Sequence, residues 1–177
     1  ELLYLTYAQI MSNIVIDSKN VLRFRDKDYH CSLGSGGVRV DKHEGDGATP
    51  VGCFSIRKIY YRPDKFEDFP TTAFETQALD KNDGWSDDVN LPEYNTYVTL
   101  PYDGSHEKLW RDDNLYDIIV VLGYNDNPPV PGKGSAIFMH VAREGYTPTA
   151  GCIALSKEDL LEILISADKT TQVCIEE

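Results

Sequence analysis

The sequence has few basic residues, and no run of them occurs anywhere. Seventeen lysine and arginine residues stand against 29 aspartate and glutamate residues, which gives a formal net charge of -12 at pH 7. Nucleic acids and anionic membranes are bound by clustered cationic side chains, so this composition argues against both as partners. We interpret the acidity as a source of solubility.

Long apolar runs are also absent, because no stretch approaches the ~20 apolar residues that a membrane span requires. Residues 1–10 have neither a basic start nor a long apolar centre, so they do not form a signal peptide as they stand. Met11-Ser12-Asn13 resembles a natural start, and we expect residues 1–12 to be an extension of upstream or expression-vector origin. We therefore expect a cytoplasmic protein, or a periplasmic one if a leader was removed.

The four cysteines show no C-x-x-C pair and no regular spacing. This argues against a zinc site and against a disulfide framework, and we expect no metal ion and no cofactor. Cys31, Cys53 and Cys174 each lie in or beside apolar runs, where small buried thiols are common. Unpaired thiols of this kind fit a reducing compartment.

Short apolar or alternating segments recur along the chain, and they predict strands. They fall at residues 14–17, 21–24, 29–33, 38–40, 53–61, 116–125, 136–140 and 170–175. A length of 177 residues fits one domain, which we place at residues 13–177. We expect a mainly β fold, a mixed sheet curled into a sandwich or partial barrel, with one helix after the capping sequence Ser156-Lys157-Glu158-Asp159.

The middle of the chain, residues 62–101, has no clear periodicity and is rich in aromatic residues. A segment of this length is either a functional surface or an insertion, and we expect short helices in it. Its aromatic residues either line a groove or are buried under a long loop. The glycines of residues 45–47 are followed by no Lys-Ser/Thr pair, so a nucleotide site is not expected.

The segment 134–156, GSAIFMHVAREGYTPTAGCIALS, carries the candidate chemistry. Its first apolar run ends at His140, and Cys152 follows a polar turn. An imidazole close to a thiol can remove its proton, and the thiolate is the nucleophilic form. The glycine before Cys152 leaves room for a carbonyl substrate near the main-chain amides. A histidine in the core and a small buried cysteine are the alternative interpretation.

Two blocks of the sequence resemble the signature of the L,D-transpeptidase (YkuD-type) family. The first is a histidine followed by Ser/Thr-x-Gly-Cys, here His140, Thr149, Gly151 and Cys152. The second is Thr-Pro-x-Gly-x-Phe, within residues 45–54, GDGATPVGCF. The resemblance spans residues 14–175 and is to the compact, leaderless branch of the family, marked further by residues 83–85 (DGW), 123–126 (GYND) and 140–142 (HVA).

Three positions depart from the common pattern of that family. Ala150 stands where many members carry histidine, Ala154 where many carry arginine or asparagine, and Val141 where many carry glycine or serine. The nucleophile and the base are retained, and the substrate preference stays open.

The resemblance implies acyl transfer on peptidoglycan stem peptides. Cys152 would attack the carbonyl between the L-centre of the third residue and the following D-amino acid, and His140 would act as general base and acid. The backbone amide of Gly151 would receive the oxyanion. A main-chain carbonyl near Val141 or the side chain of Asp126 would orient the histidine.

Further residues are candidates for binding the substrate. Arg143 and Lys133 are cations that could bind a carboxylate of the anionic stem peptide. His106, in Ser-His-Glu, is a reserve base. The complete set of candidate substrate-binding residues is Arg143, Thr149, Tyr124, Asp126, Trp85 and His106.

Several outcomes remain open from the sequence. The enzyme could cross-link stems, exchange a terminal D-amino acid, or trim the stem as an L,D-carboxypeptidase. A non-catalytic peptidoglycan-binding module is the alternative function. A cysteine peptidase of another family is not favoured, because the surroundings of Cys152 do not resemble the papain-type Cys-Gly-Ser-Cys. We expect a monomer.

Overall fold

The computed structural model describes residues 12–177, so the expected extension at residues 1–12 lies, except for residue 12, outside the described residues. The first seven strands are β1 (Ile14–Ile16), β2 (Val21–Phe24), β3 (Lys27–His30), β4 (Val38–Arg39), β5 (Thr49–Pro50), β6 (Gly52–Tyr61) and β7 (Thr76–Ala78). They are followed by β8 (Asp83–Ser86), β9 (Tyr97–Thr99), β10 (His106–Lys108), β11 (Ile118–Leu122), β12 (Phe138–Val141), β13 (Ile153–Leu155) and β14 (Gln172–Ile175). Helix α1 spans Lys157–Ser166, between β13 and β14.

A nine-stranded mixed sheet forms the body of the molecule. Its order is β13-β12-β11-β6-β14-β1-β2-β3, and β7 pairs separately with β6. Ser32, just after β3, exchanges backbone hydrogen bonds with Ala154 of β13, at 2.8 and 3.0 Å. This bridge joins the two ends of the order, so the sheet nearly closes on itself. The predicted partial barrel is confirmed.

The two faces of strand β11 pack into two different apolar clusters. Ile118 and Val120 belong to a large cluster that includes the buried face of α1, whereas Ile119 and Val121 belong to a smaller cluster. Successive side chains of a strand point to opposite faces, so a strand covered on both sides must be apolar throughout. The continuous apolar run in the sequence predicted this central strand.

Helix α1 begins and packs as the sequence predicts. The Ser156 hydroxyl accepts a hydrogen bond from the backbone N–H of Asp159 at 3.1 Å, which caps the first turn. Leu160, Ile163 and Leu164 are buried, and their spacing places them on one face of the helix. The helix therefore covers the sheet face opposite the smaller cluster.

The middle of the chain folds differently from our expectation. Residues 62–117 contain strands β7 to β10 and no helix, so the predicted short helices are wrong. Strands β8, β9 and β10 form a separate small sheet in the order β10-β8-β9. Trp85 and Tyr94 are buried beneath it, at 9% and 2% exposure. Short strands with polar faces, such as His106–Lys108, give too weak a pattern to be distinguished from loops.

The structure also corrects the interpretation of the cysteines. Cys53 of β6 and Cys174 of β14 lie opposite each other in an antiparallel pair and form a disulfide. They are 121 positions apart in sequence, so no local pattern connects them. Cys31 is a free, fully buried thiol, as predicted.

Candidate active site

The loop that carries Cys152 is held from two sides. Within the loop, the Thr149 hydroxyl accepts from the Gly151 N–H at 3.1 Å and donates to the Cys152 carbonyl at 2.6 Å. From outside, the buried Thr49 hydroxyl donates to the Gly151 carbonyl at 2.9 Å and accepts from the Gly34 N–H at 2.9 Å. The Thr-Pro block in the sequence thus contacts the loop that carries Cys152 directly.

Gly151 occupies a position where another residue would not fit. Its φ of 135° is rarely adopted by residues with a side chain. A Cβ added to Gly151 would lie 2.8 Å from the Ala48 carbonyl oxygen. Because its N–H already donates to Thr149, the amide of Gly151 would have to leave that acceptor to bind an oxyanion. The oxyanion role of Gly151 stays a prediction.

The Cys152 thiol is partly exposed and contacts the segment that leads into β12. Its S–H donates to the Ala136 carbonyl at 3.2 Å, and its sulfur accepts from the Phe138 N–H at 3.4 Å. Burial, and then the negative charge of Glu107, raise the pKa of Cys152 to about 12, against the opposing effects of the Phe138 N–H and Lys42. The group is therefore a thiol in the resting site.

His140 is buried in β12, at 5% exposure. Its Nδ1 lies 2.9 Å from the carbonyl oxygen of Val141, which can accept but not donate. Nδ1 therefore carries the proton, and Nε2 is left as the nitrogen that can accept one. Burial lowers the pKa of His140 below its ordinary value, and Arg111 and Arg143 lower it further. The imidazole is neutral at neutral pH.

The two side chains share one cavity of about 330 Å³, lined by both His140 and Cys152. Within residues 12–177, no hydrogen bond joins the Cys152 sulfur to His140. Arg143 and Thr149 line the same cavity, and their role in binding substrate stays a prediction. The orienting group of His140 is the Val141 carbonyl, one of the two candidates, whereas Asp126 pairs with Arg57 at 2.9 Å.

Other candidate residues lie outside this cavity. The Tyr124 hydroxyl donates to the Lys133 carbonyl. Trp85 donates to Asn95 at 3.0 Å and packs edge-on against Phe138. Together with Asp126, Trp85 lines a second cavity of about 340 Å³.

His106 and Glu107 are neighbours in sequence, but of the two only Glu107 lines the cavity. They are consecutive residues of β10, so their side chains point to opposite faces. Glu107 lines the cavity, whereas the His106 ring packs edge-on near Tyr102 with Nδ1 2.8 Å from the Gly104 carbonyl. The Ser-His-Glu motif therefore brings Glu107 to the cavity, and a binding role for His106 stays a prediction.

Sequence reasoning missed the group of residues that surrounds the histidine ring. Tyr116 packs edge-on against His140, with 5.4 Å between ring centroids, and its hydroxyl donates to Glu107 at 3.0 Å. The Arg111 guanidinium lies 5.3 Å from the centre of the Tyr116 ring. Burial raises the pKa of the Glu107 carboxyl. Glu107, Arg111 and Tyr116 lie close together in the sequence, within residues 107–116. This clustering was the signal that the sequence offered.

The cavity carries charges of both signs. Its cationic lining residues are Lys42, Arg111 and Arg143, and its anionic ones are Glu44, Asp87 and Glu107. Within residues 12–177, no group of three or more His, Cys, Asp or Glu side chains is arranged to hold a metal ion. In the same residues, no helix has the length and apolar character that a membrane crossing requires.

Comparison with known proteins identifies the family. The profile described as YkuD, the L,D-transpeptidase catalytic domain, matches residues 8–175. This chain belongs to that family. The fold and the family predicted from the sequence are thereby confirmed.

Individual relatives are remote. A search of curated protein sequences finds no match. Among solved structures, the chain is similar to L,D-transpeptidase 3 from Mycobacterium tuberculosis, with 14% sequence identity and a TM-score of 0.46. The alignment covers 94% of this chain and 61% of that one, so this chain spans less than two thirds of the length of that relative.

Proposed function

We propose that this protein catalyses cysteine-dependent acyl transfer on peptidoglycan stem peptides. The bond cleaved joins the L-centre of the third residue to the D-amino acid that follows. Membership of the L,D-transpeptidase family supports this substrate class. The observation that carries the proposal is the fixed tautomer of His140, because its Nδ1–H is committed to Val141 and Nε2 is a base beside the Cys152 cavity.

The reaction begins when the Cys152 S–H turns from the Ala136 carbonyl toward Nε2 of His140. The sulfur attacks the carbonyl carbon as its proton passes to Nε2, and backbone amides near Cys152 bind the oxyanion. The C–N bond breaks as the imidazolium returns the proton to the leaving amine, which gives a thioester. An amine or water attacks the thioester and loses a proton to His140, and the proton returns to the sulfur.

The electrostatics of the resting site favour the neutral pair over an ion pair. The pKa of Cys152 is raised to about 12, while burial lowers the pKa of His140. Proton transfer from sulfur to nitrogen is therefore unfavourable before substrate binds. We propose that the proton moves as the carbon–sulfur bond forms, when the negative charge passes from the sulfur to the oxyanion.

The arginines of the cavity supply the means to bind an anionic peptide. Arg111 and Arg143 both line the cavity on which His140 opens. A guanidinium binds a carboxylate through two parallel hydrogen bonds, and the released D-amino acid carries such a group. We propose that Arg143 binds it, because the Arg111 guanidinium already donates two hydrogen bonds to Asp113, at 2.8 and 2.6 Å. Roles for Trp85, Tyr124, Asp126 and His106 in binding remain predictions.

The test is incubation of the purified protein with a tetrapeptide stem, followed by mass spectrometry of the products. Loss of the terminal D-amino acid without an acceptor indicates carboxypeptidase activity, and a heavier product with an added amine indicates transfer or exchange. Cys152→Ser should abolish each of these products. Mixing with a carbapenem should add one covalent adduct at Cys152.

One combined result would contradict the proposal. If the tetrapeptide stays unchanged and no carbapenem adduct forms, the protein is not an enzyme of this kind. If wall fragments still bound under those conditions, the protein would be a peptidoglycan-binding module instead.

The compartment and the oligomeric state remain predictions. We propose the cytoplasm as the compartment, with the periplasm as the alternative, and a monomer as the acting form. The Cys53–Cys174 disulfide favours the periplasm, because disulfides persist in oxidising compartments. Alkylation of unreduced protein from its native cells would count the free thiols and decide between the compartments.

A further inference from the structure

The peptide that accepts the Cys152 hydrogen bond has an unusual conformation. Ala136 has a φ of 53°, in the left-handed region that residues other than glycine seldom adopt. Such a backbone persists only where the surroundings fix it. Its carbonyl oxygen holds the nucleophile at 3.2 Å, so whatever fixes Ala136 also sets the position of the thiol.

The side chain that contacts the Ala136 amide is Asn95, which is buried at 5% exposure. Its Oδ1 accepts from the Ala136 N–H at 3.0 Å and from the Trp85 indole N–H at 3.0 Å. Its Nδ2 donates to the carbonyls of Tyr124 at 3.1 Å and Asn125 at 2.8 Å. Two N–H donors face Oδ1 and two carbonyl acceptors face Nδ2, so the side-chain amide of Asn95 fits in only one orientation.

We propose that Asn95 is a positioning residue for the nucleophile. It holds the Ala136 peptide so that the Ala136 carbonyl keeps accepting the hydrogen bond of the neutral Cys152 thiol. When substrate enters, the thiol leaves this carbonyl and turns to His140. Asn95 acts through Ala136 and does not line the catalytic cavity. The catalytic part of this inference rests on the proposed function, whereas the effect on the thiol does not.

The Ala136 carbonyl favours the thiol over the thiolate, because a carbonyl oxygen accepts from S–H and repels a negative sulfur. The charged and titratable groups that face the same space come from several elements, and they remain in place when Asn95 is changed. Lys42 and Glu107 act on the pKa of Cys152. The others line the same cavity: Glu44, Asp87, Arg111, Tyr116, His140 and Arg143.

The test replaces Asn95 by glycine, which accepts the φ of 57° found there and removes only the side chain. The readout is site-resolved alkylation by iodoacetamide over a range of pH, which needs no substrate. At neutral pH, we expect Cys152 to be alkylated about fivefold faster in Asn95→Gly, because the hydrogen bond that stabilises the neutral thiol is lost. Turnover of tetrapeptide should fall about tenfold or more, because the sulfur is no longer held in place.

Two controls separate positioning from loss of the fold. Asn125→Gly removes a similar asparagine, with a φ of 49° and hydrogen bonds to Val130 and Gly134 but none to Ala136. It should leave the alkylation profile of Cys152 in place. Cys31, a free thiol with 0% exposure, is an internal control that reacts faster only if the protein opens.

Parallel acceleration of Cys31 and Cys152 would mean that Asn95 only stabilises the fold, and the proposal would be overturned. An unchanged Cys152 profile in Asn95→Gly would overturn it as well. If that variant does not fold, hydrogen exchange of the wild type decides. The Ala136 amide should then be protected, and rapid exchange of it in the folded protein would refute the contact. Failure of tetrapeptide turnover in the wild type would count against the proposed function alone.

Discussion

Thr49 joins the two sequence blocks of the family, and its replacement by valine tests that connection. Its side chain is fully buried, and its hydroxyl bonds both the Gly151 carbonyl and the Gly34 N–H at 2.9 Å. Valine has nearly the same shape but cannot form either bond. Two buried backbone groups would then lose a partner, each at about 1–3 kcal/mol, so Thr49→Val should lower the free energy of unfolding by about 2–6 kcal/mol.

The assay is urea denaturation followed by fluorescence, together with thermal unfolding. A loss of that size corresponds to a fall in Tm of about 4–24 °C for a chain of this length, at about 2–4 °C per kcal/mol. The loop bearing Cys152 would lose its outer anchor, so carbapenem acylation should slow by about tenfold or more. Thr49→Ser is the matched control, because it keeps the hydroxyl and removes a methyl group worth about 1 kcal/mol.

A Thr49→Val protein as stable as Thr49→Ser would refute the assignment of both buried hydrogen bonds. Equal rates of acylation in the two variants would show that the anchor does not position the nucleophile. Either result would separate the Thr-Pro block from the chemistry of Cys152.

Three further predictions follow from the charges and the disulfide. Glu107→Gln removes the charge that helps to raise the pKa of Cys152, so alkylation of this thiol at pH 8 should accelerate severalfold; an unchanged pH profile would contradict this. Burial lowers the pKa of His140, so the histidine gains its proton only below pH ~6.5, the unperturbed value. In the pH dependence of kcat/KM, the loss of activity on the acid side should therefore occur below that pH. A loss that begins above it would be inconsistent with a buried neutral base. Changing both Cys53 and Cys174 to serine should lower the free energy of unfolding by about 2–4 kcal/mol, measured in urea; equal stability, or four alkylatable thiols in unreduced protein, would exclude the disulfide.

Helix α1 and strand β11 could be predicted from short stretches of the sequence. The Ser156 cap and the spacing of Leu160, Ile163 and Leu164 predicted α1, because a cap and one apolar face are read within a few residues. The apolar run that became β11 predicted a strand buried on both faces. The short strands of residues 62–117 were missed, since their stability comes from neighbours that the local sequence does not show.

The sequence by itself determined the family and supplied the proposed nucleophile and base, because these depend on which residues occur and in what order. Only the tertiary structure decided that Cys53 meets Cys174, that Glu107 and not His106 faces the cavity, and that Asn95 contacts the peptide beside the nucleophile. Each of these depends on strand register and on the face that a neighbouring sheet covers. Such choices are made by contacts between distant parts of the chain, and no periodicity within a segment encodes them.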